Sequence, residues 1–274
     1  MNDNSPTFLT LIVDVNPERW AVRNNQLKET SSKFEEVIRS VVIFANSYLL
    51  MNRENNLCVI ANHPNGSRYI YPSADSTSDS FTPTAHSLGP QLVQALVDLN
   101  KLSTMESNVT NDIVPSLSQA LSLGLCLIHR QKHNNPKLQT RILVFNLSKD
   151  IPSTYSPIMN CIFSAQKVGT QIDAIIFSQK SSAFLQQACF ITGGVYLHPD
   201  DQRDHLQLLL THCLPSNQIR KMLRQPIQKS IDFKASCFCH GKPLEFAYMC
   251  TVCLALSCTK TEGVCGICDT PIRN

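Results

Sequence analysis

Two Cys-x-x-Cys pairs stand near the end of this 274-residue chain, Cys250-x-x-Cys253 and Cys265-x-x-Cys268. Each pair can bend into a knuckle that turns two thiolates toward one side of an ion, so two pairs close a tetrahedron. That is the geometry zinc prefers. A segment this short buries little apolar surface, and metal ligation would supply most of its folding free energy, about 10–16 kcal/mol by analogy with zinc fingers. We therefore expect Cys250, Cys253, Cys265 and Cys268 to form one structural zinc site. Seven of the twelve cysteines lie between Cys237 and Cys268. The remaining donors of that stretch, Cys237, Cys239, His240 and Cys258, are a less certain second set. Three thiolates and an imidazole suffice for zinc, but Cys-x-Cys is a poorer knuckle and no second cysteine follows Cys258 at knuckle spacing. Packing of these thiols as small apolar groups is the alternative.

The five earlier cysteines (58, 126, 161, 189 and 213) sit in apolar strand or helix contexts, which points to core packing. A nucleophilic thiol needs a nearby base and an electropositive pocket, and the sequence offers neither. His205 and His212 are two helical turns apart, too far to chelate an ion alone. No phosphate-binding glycine loop, nucleophile elbow or His-Glu-x-x-His motif is present.

The residues are 43% hydrophobic and 16% charged, values that suit a globular chain. Net charge is only +3 but unevenly spread: beyond Pro215 there are eight Lys/Arg against four Asp/Glu. That mild basic bias permits contact with nucleic acid without requiring it. The amino-terminal residues carry no basic region followed by an apolar run, and no stretch approaches the length of a membrane span. The expectation is an intracellular protein with reduced cysteines, in which paired spacing favours metal over disulfide.

Ahead of the cysteines, strand-like and helix-like segments alternate. Strands are expected at Phe8–Val15, Leu57–Ala61, Tyr69–Tyr71, Arg141–Leu147, Ile172–Phe177 and Val195–His198. Helices are expected after a Ser32-x-x-Glu35 capping box, at Gln91–Leu102, at about Asp112–His129, at Tyr155–Lys167, after Ser182, and at about Arg203–Cys213. Residues from Ser73 to about Pro90 are expected to be a mobile surface loop. The alternation predicts an α/β fold, doubly wound, with a mostly parallel sheet. The expected organisation is a sheet domain over 1–214, a basic linker without clear period over 215–234, and a four-cysteine zinc-binding module over 235–274.

Several segments resemble a von Willebrand factor A domain: the apolar strand ending in Asp14, the strands after the first long helix, RILVFNL from Arg141, and LQQACFITGGVYL from Leu185 to Leu197. The resemblance implies a site for Mg²⁺ at the top of the sheet, where serine hydroxyls and two aspartates complete an oxygen shell. Here the first motif reads Asp14-Val15-Asn16-Pro17-Glu18, and Asn146-Leu147-Ser148 replaces the second aspartate. With both serines and one carboxylate gone, Mg²⁺ binding is not expected.

An A-like domain joined to this cysteine pattern resembles one family: the smaller A-domain, zinc-finger subunits of the general transcription and DNA-repair factor TFIIH. Leu49-Leu50-Met51-Asn52-Arg53, Leu185–Leu197 and the Cys237–Cys268 spacing carry the likeness across nearly the whole chain. It implies a non-catalytic nuclear scaffold of the TFIIH core, acting in RNA polymerase II initiation and nucleotide excision repair. Its implied partners are the larger A-domain/RING subunit and other core subunits, with nucleic acid contacted only indirectly and no membrane. The alternatives are a RING-like ubiquitin ligase, which needs two zinc ions, and a nucleic-acid-binding zinc ribbon.

Overall fold

The computed structural model describes residues 6–27, 33–71, 88–95, 116–151, 154–199, 205–224, 226, 237, 244–253, 255–260, 263–266 and 268–271. Six strands form one sheet: β1 (Thr7–Asp14), β2 (Asn56–His63), β3 (Gly66–Tyr71), β4 (Gln139–Asn146), β5 (Thr170–Ile176) and β6 (Tyr196–Leu197). Their order is β3-β2-β1-β4-β5-β6, and only the β2–β3 hairpin is antiparallel. Around the sheet lie α1 (Pro17–Leu27), α2 (Lys33–Met51), α3 (88–95), α4 (Leu117–Asn134), α5 (Tyr155–Val168), α6 (Ala183–Thr192), α7 (His205–Leu208, continued by a π turn Leu209–Cys213) and α8 (Asn217–Met222).

The period-two alternation of the central strands divides the core in two. Leu9, Leu11 and Val13 of β1, with Leu143 and Phe145 of β4, face Val41, Phe44 and Tyr48 of α2. Phe8 and Ile12, with Ile142 and Val144, face Leu121, Ile128, Ile162 and Leu185 from α4, α5 and α6. Strands buried on both faces read as continuous apolar runs, which is why the expected strands match the observed ones within a few residues. No helix among the described residues is long and apolar enough to cross a membrane.

Three segments differ from the sequence reading. Ser32, the proposed capping residue of α2, and 73–87 of the expected loop lie outside the described residues, while 88–90 already belong to α3, with Leu88 fully buried. The Asp14–Glu18 motif compared above with an ion site runs into the start of α1. Asn16 accepts from the N–H of Glu18 at 3.1 Å, and Trp20 N–H bonds the Asn16 carbonyl at 3.2 Å, so Asn16 caps a helix that opens on Pro17. Proline suits a first helical position because its missing donor would be unpaired there anyway. Finally, part of the aperiodic basic stretch after Pro215 forms α8.

That last helix carries Arg220 into the interior. Asp173, fully buried on β5, receives Arg220 in a two-pronged contact at 2.8 and 2.7 Å and Arg141 of β4 at 2.8 Å, while the Val195 N–H donates to it at 2.8 Å. Burial pushes the Asp173 carboxyl upward, and the Arg141 charge and Val195 N–H oppose that push. Two guanidiniums against one carboxylate leave a surplus positive charge. The Cys213 carbonyl accepts from both arginines and the Pro215 carbonyl accepts from both as well, at the negative end of the α7–π segment. Gly194 completes the junction, because an added Cβ would lie 1.9 Å from the Ile172 carbonyl oxygen. Replacing Asp173 with Asn would leave two buried cations without their counter-charge. Denaturant unfolding should then show a loss of about 3–5 kcal/mol, with a smaller loss for Arg220→Met, where Asp173 keeps Arg141.

Candidate metal centre

The cysteine module is built from two knuckles. In the first, β7 (Tyr248–Met249) and β8 (Leu256–Ser257) pair antiparallel, and the Cys250 N–H closes the turn onto the Ala255 carbonyl at 2.9 Å. In the second, the Cys265 N–H bonds the Thr270 carbonyl at 2.9 Å and the Asp269 N–H returns to the Cys265 carbonyl at 3.0 Å. Asp269 takes a left-handed conformation (φ 53°), a position that short polar side chains tolerate. Each knuckle therefore needs only local backbone bonds to aim its two sulfurs.

Those sulfurs converge. Cys250 Sγ lies 3.8 Å from Cys268 Sγ, Cys253 Sγ lies 3.7 Å from Cys265 Sγ, and all four ligand atoms fall within 4.8 Å of one another. At a Zn–S distance of about 2.3 Å, a regular tetrahedron separates its sulfurs by about 3.8 Å. The spacing is that of four ligands around one ion, and well beyond a disulfide bond of about 2.05 Å. The surroundings favour the thiolate at two of the four, while at Cys253, against the Ala255 N–H, burial and the neighbouring sulfurs push the thiol up to about 12. Bonding to the Thr270 hydroxyl and backbone N–H holds the Cys268 thiol down to about 6, and N–H groups of Cys253 and Val252 pull Cys250 below the usual thiol range. The donor set can hold a metal ion, and four soft sulfurs suit zinc among the common divalent metals.

The second set lies only half within the described residues. Cys237 is buried and Cys258 half-buried, whereas Cys239 and His240 lie outside the described residues; the one metal-compatible cluster of His, Cys, Asp and Glu found there is the Cys250–Cys268 quartet. Within the sheet domain, burial raises the thiols of Cys58, Cys161, Cys189 and Cys213. That keeps them protonated and unsuited to nucleophilic work.

At the sheet top, the residues that replace an ion site have a different occupation. Asp14 is buried, and its carboxylate accepts from the N–H groups of Asn16 (3.1 Å), Leu147 (3.1 Å) and Ser148 (2.7 Å). Burial raises this carboxyl while those donors lower it. Trp20 adds a bond from its indole N–H to the Asp14 carbonyl at 2.9 Å and packs against Phe34 and Phe177. Backbone donors from two loops thus serve the carboxylate where a cation would otherwise have to.

A doubly wound, mostly parallel sheet with a hydrogen-bonded Asp14 loop and a separate four-cysteine centre defines a von Willebrand A-like protein. The solved N-terminal domain of TFIIH p34 overlays 77% of the chain and 99% of that domain, with a TM-score of 0.64 and 26% identity. The sequence model of the Tfb4 family (Transcription factor Tfb4) matches residues 6–269, and the chain belongs to that family. Among curated relatives, general transcription factor IIH subunit 3 of Dictyostelium discoideum is 36% identical over 90% of this chain and 71% of its own length. The Schizosaccharomyces pombe factor IIH subunit tfb4 is 32% identical over 98% and 89%, and the Arabidopsis thaliana subunit TFB4 is 35% identical over 95% and 88%.

The quartet makes a direct prediction. Cobalt(II) should give the thiolate charge-transfer absorption of a four-sulfur site in the native chain. Cys265→Ser should abolish that absorption and lose the bound metal, while Cys126→Ser, at an exposed helix position, should change neither. Stoichiometric metal retained by the Cys265 variant would contradict a four-cysteine centre.

Proposed function

We propose that this chain is a non-catalytic subunit of the TFIIH core, holding the complex together in transcription initiation and nucleotide excision repair, in the nucleus. The observation that carries the reading is the near full-length family match, which joins the A-like sheet and the cysteine module in one chain. In this reading Cys250, Cys253, Cys265 and Cys268 hold one structural zinc ion, residues 1–214 form the A-like domain, 215–234 connect, and 235–274 form the zinc module. The principal partner is the larger A-domain/RING subunit, with other core subunits contacting the remaining surface.

Physical features support scaffolding over the alternatives. Phe246 is 90% exposed, and Tyr248, Met249, Val252 and Val264 are exposed beside it in sequence on the cysteine module. So much open apolar surface on a small module is characteristic of a partner face. A RING-like ligase needs two ion sites, and no second cysteine follows Cys258 at knuckle spacing. A nucleic-acid ribbon would draw on the basic residues after Pro215, yet Arg220 is buried and committed to Asp173.

Co-expression with the larger A-domain/RING subunit should yield a one-to-one complex on size-exclusion chromatography. Cys250→Ser should weaken or abolish co-elution while the sheet domain keeps its circular dichroism. A wild-type chain that elutes alone in the presence of folded partner would refute the proposal.

A further inference from the structure

A second concave feature lies away from the cysteines, at the carboxyl ends of β4 and β5. It is a cleft of about 190 Å³ walled by Arg19 and Arg23 of α1, by Leu147 and Lys149 from the loop after β4, and by Ser178 and Lys180 from the loop after β5. Three separate elements deliver its four cations, and none of the residues lining it is acidic. Among the described residues, Asp150 and Asp14 near it in the chain have other partners. Asp150 accepts from the Ser182 hydroxyl at 2.6 Å and the Phe184 N–H at 3.2 Å, and Asp14 is occupied by backbone N–H groups. Glu18, exposed on α1, is the adjacent acid in sequence.

The position follows from the topology. The chain leaves β1 for α1 and α2 on one face of the sheet and leaves β4 for α5 on the other. The connections part there, opening a crevice outside the carboxyl ends of the strands, which is where ligands of open α/β sheets bind. Converging cations in such a crevice focus a positive potential on a small volume.

We infer that this cleft binds carboxylate side chains of an acidic peptide segment in a partner protein. Its size suits side-chain anions, and Arg19 can take a carboxylate in a two-pronged contact. A nucleic-acid backbone fits less well. The residues before Pro215 hold sixteen Lys/Arg against seventeen Asp/Glu, so the cations form a local patch on a body without the overall positive charge that favours a polyanion. The inference uses only residues of the sheet domain, and the metal and co-elution readouts above do not involve them.

The test is fluorescence anisotropy on the intact, metal-loaded chain, with a labelled oligo-glutamate peptide and a labelled oligo-thymidine of matched charge. The peptide should bind, and the double change Arg19→Glu, Lys180→Glu should weaken it by about tenfold. Lys137→Glu, on an exposed turn before β4, should alter affinity by less than about twofold. The neutral pair Arg19→Gln, Lys180→Gln should give an intermediate loss with an unchanged melting curve, and it decides the question if the charge-reversed protein misfolds. Equal weakening by Lys137→Glu would overturn the inference, because attraction would then be diffuse. Tighter, cleft-dependent binding of the oligo-thymidine would overturn it in favour of nucleic acid.

Discussion

The buried charge cluster around Asp173 is the constraint on which the sheet domain turns. Its carboxylate sits at the centre of β5, yet its partners arrive from β4, from the backbone before β6 and from a helix 47 residues further along the chain. Removing the carboxylate would strand two cations in a medium that solvates them poorly, so the elements are locked as a set. The π turn ending at Cys213 belongs to the same arrangement: it brings the Cys213 carbonyl to both guanidiniums, and Pro215 adds a second shared acceptor. The route the chain takes on leaving the sheet is thereby fixed at Arg220, ahead of the cysteine module.

Two anionic problems in one chain receive opposite solutions. At the sheet top, Asp14 is served by three backbone N–H groups, and the same loop becomes a helix cap through Asn16 and Pro17. Packing around Trp20 makes that arrangement part of the core. In the cysteine module four sulfurs lie at tetrahedral spacing, where a metal ion would supply cohesion that a small core lacks. The buried carboxylate ties two loops of the sheet domain together, and an ion bound by the four sulfurs would tie the two knuckles together in the same way.

Much of this was readable from residues. Doubly buried strands announce themselves as apolar runs, and knuckle spacing fixed the four metal-ligating candidates. Ser182 marked the start of its helix, where its hydroxyl accepts from the Leu185 N–H. What escaped was long-range. Asp173 inside an apolar strand was a visible anomaly, but its partners lie 32 and 47 residues away, and no local pattern names them. Helix α8 is too short to show a period, and its single deeply buried charge read as one more basic residue of a connecting stretch. Helix α1 was hidden because Asn16-Pro17 was weighed against an ion loop when it was also a cap followed by a first-position proline.

The central claim is that one tetrahedral metal, held by Cys250, Cys253, Cys265 and Cys268, shapes a module that joins this chain to the TFIIH core. Native mass spectrometry of the chain mixed with the larger A-domain/RING subunit measures it most directly, since subunit ratio and metal mass appear in one spectrum. The account predicts a one-to-one complex in which this chain contributes one zinc ion, lost together with the complex in Cys265→Ser. A complex that persists when this chain carries no metal would contradict it.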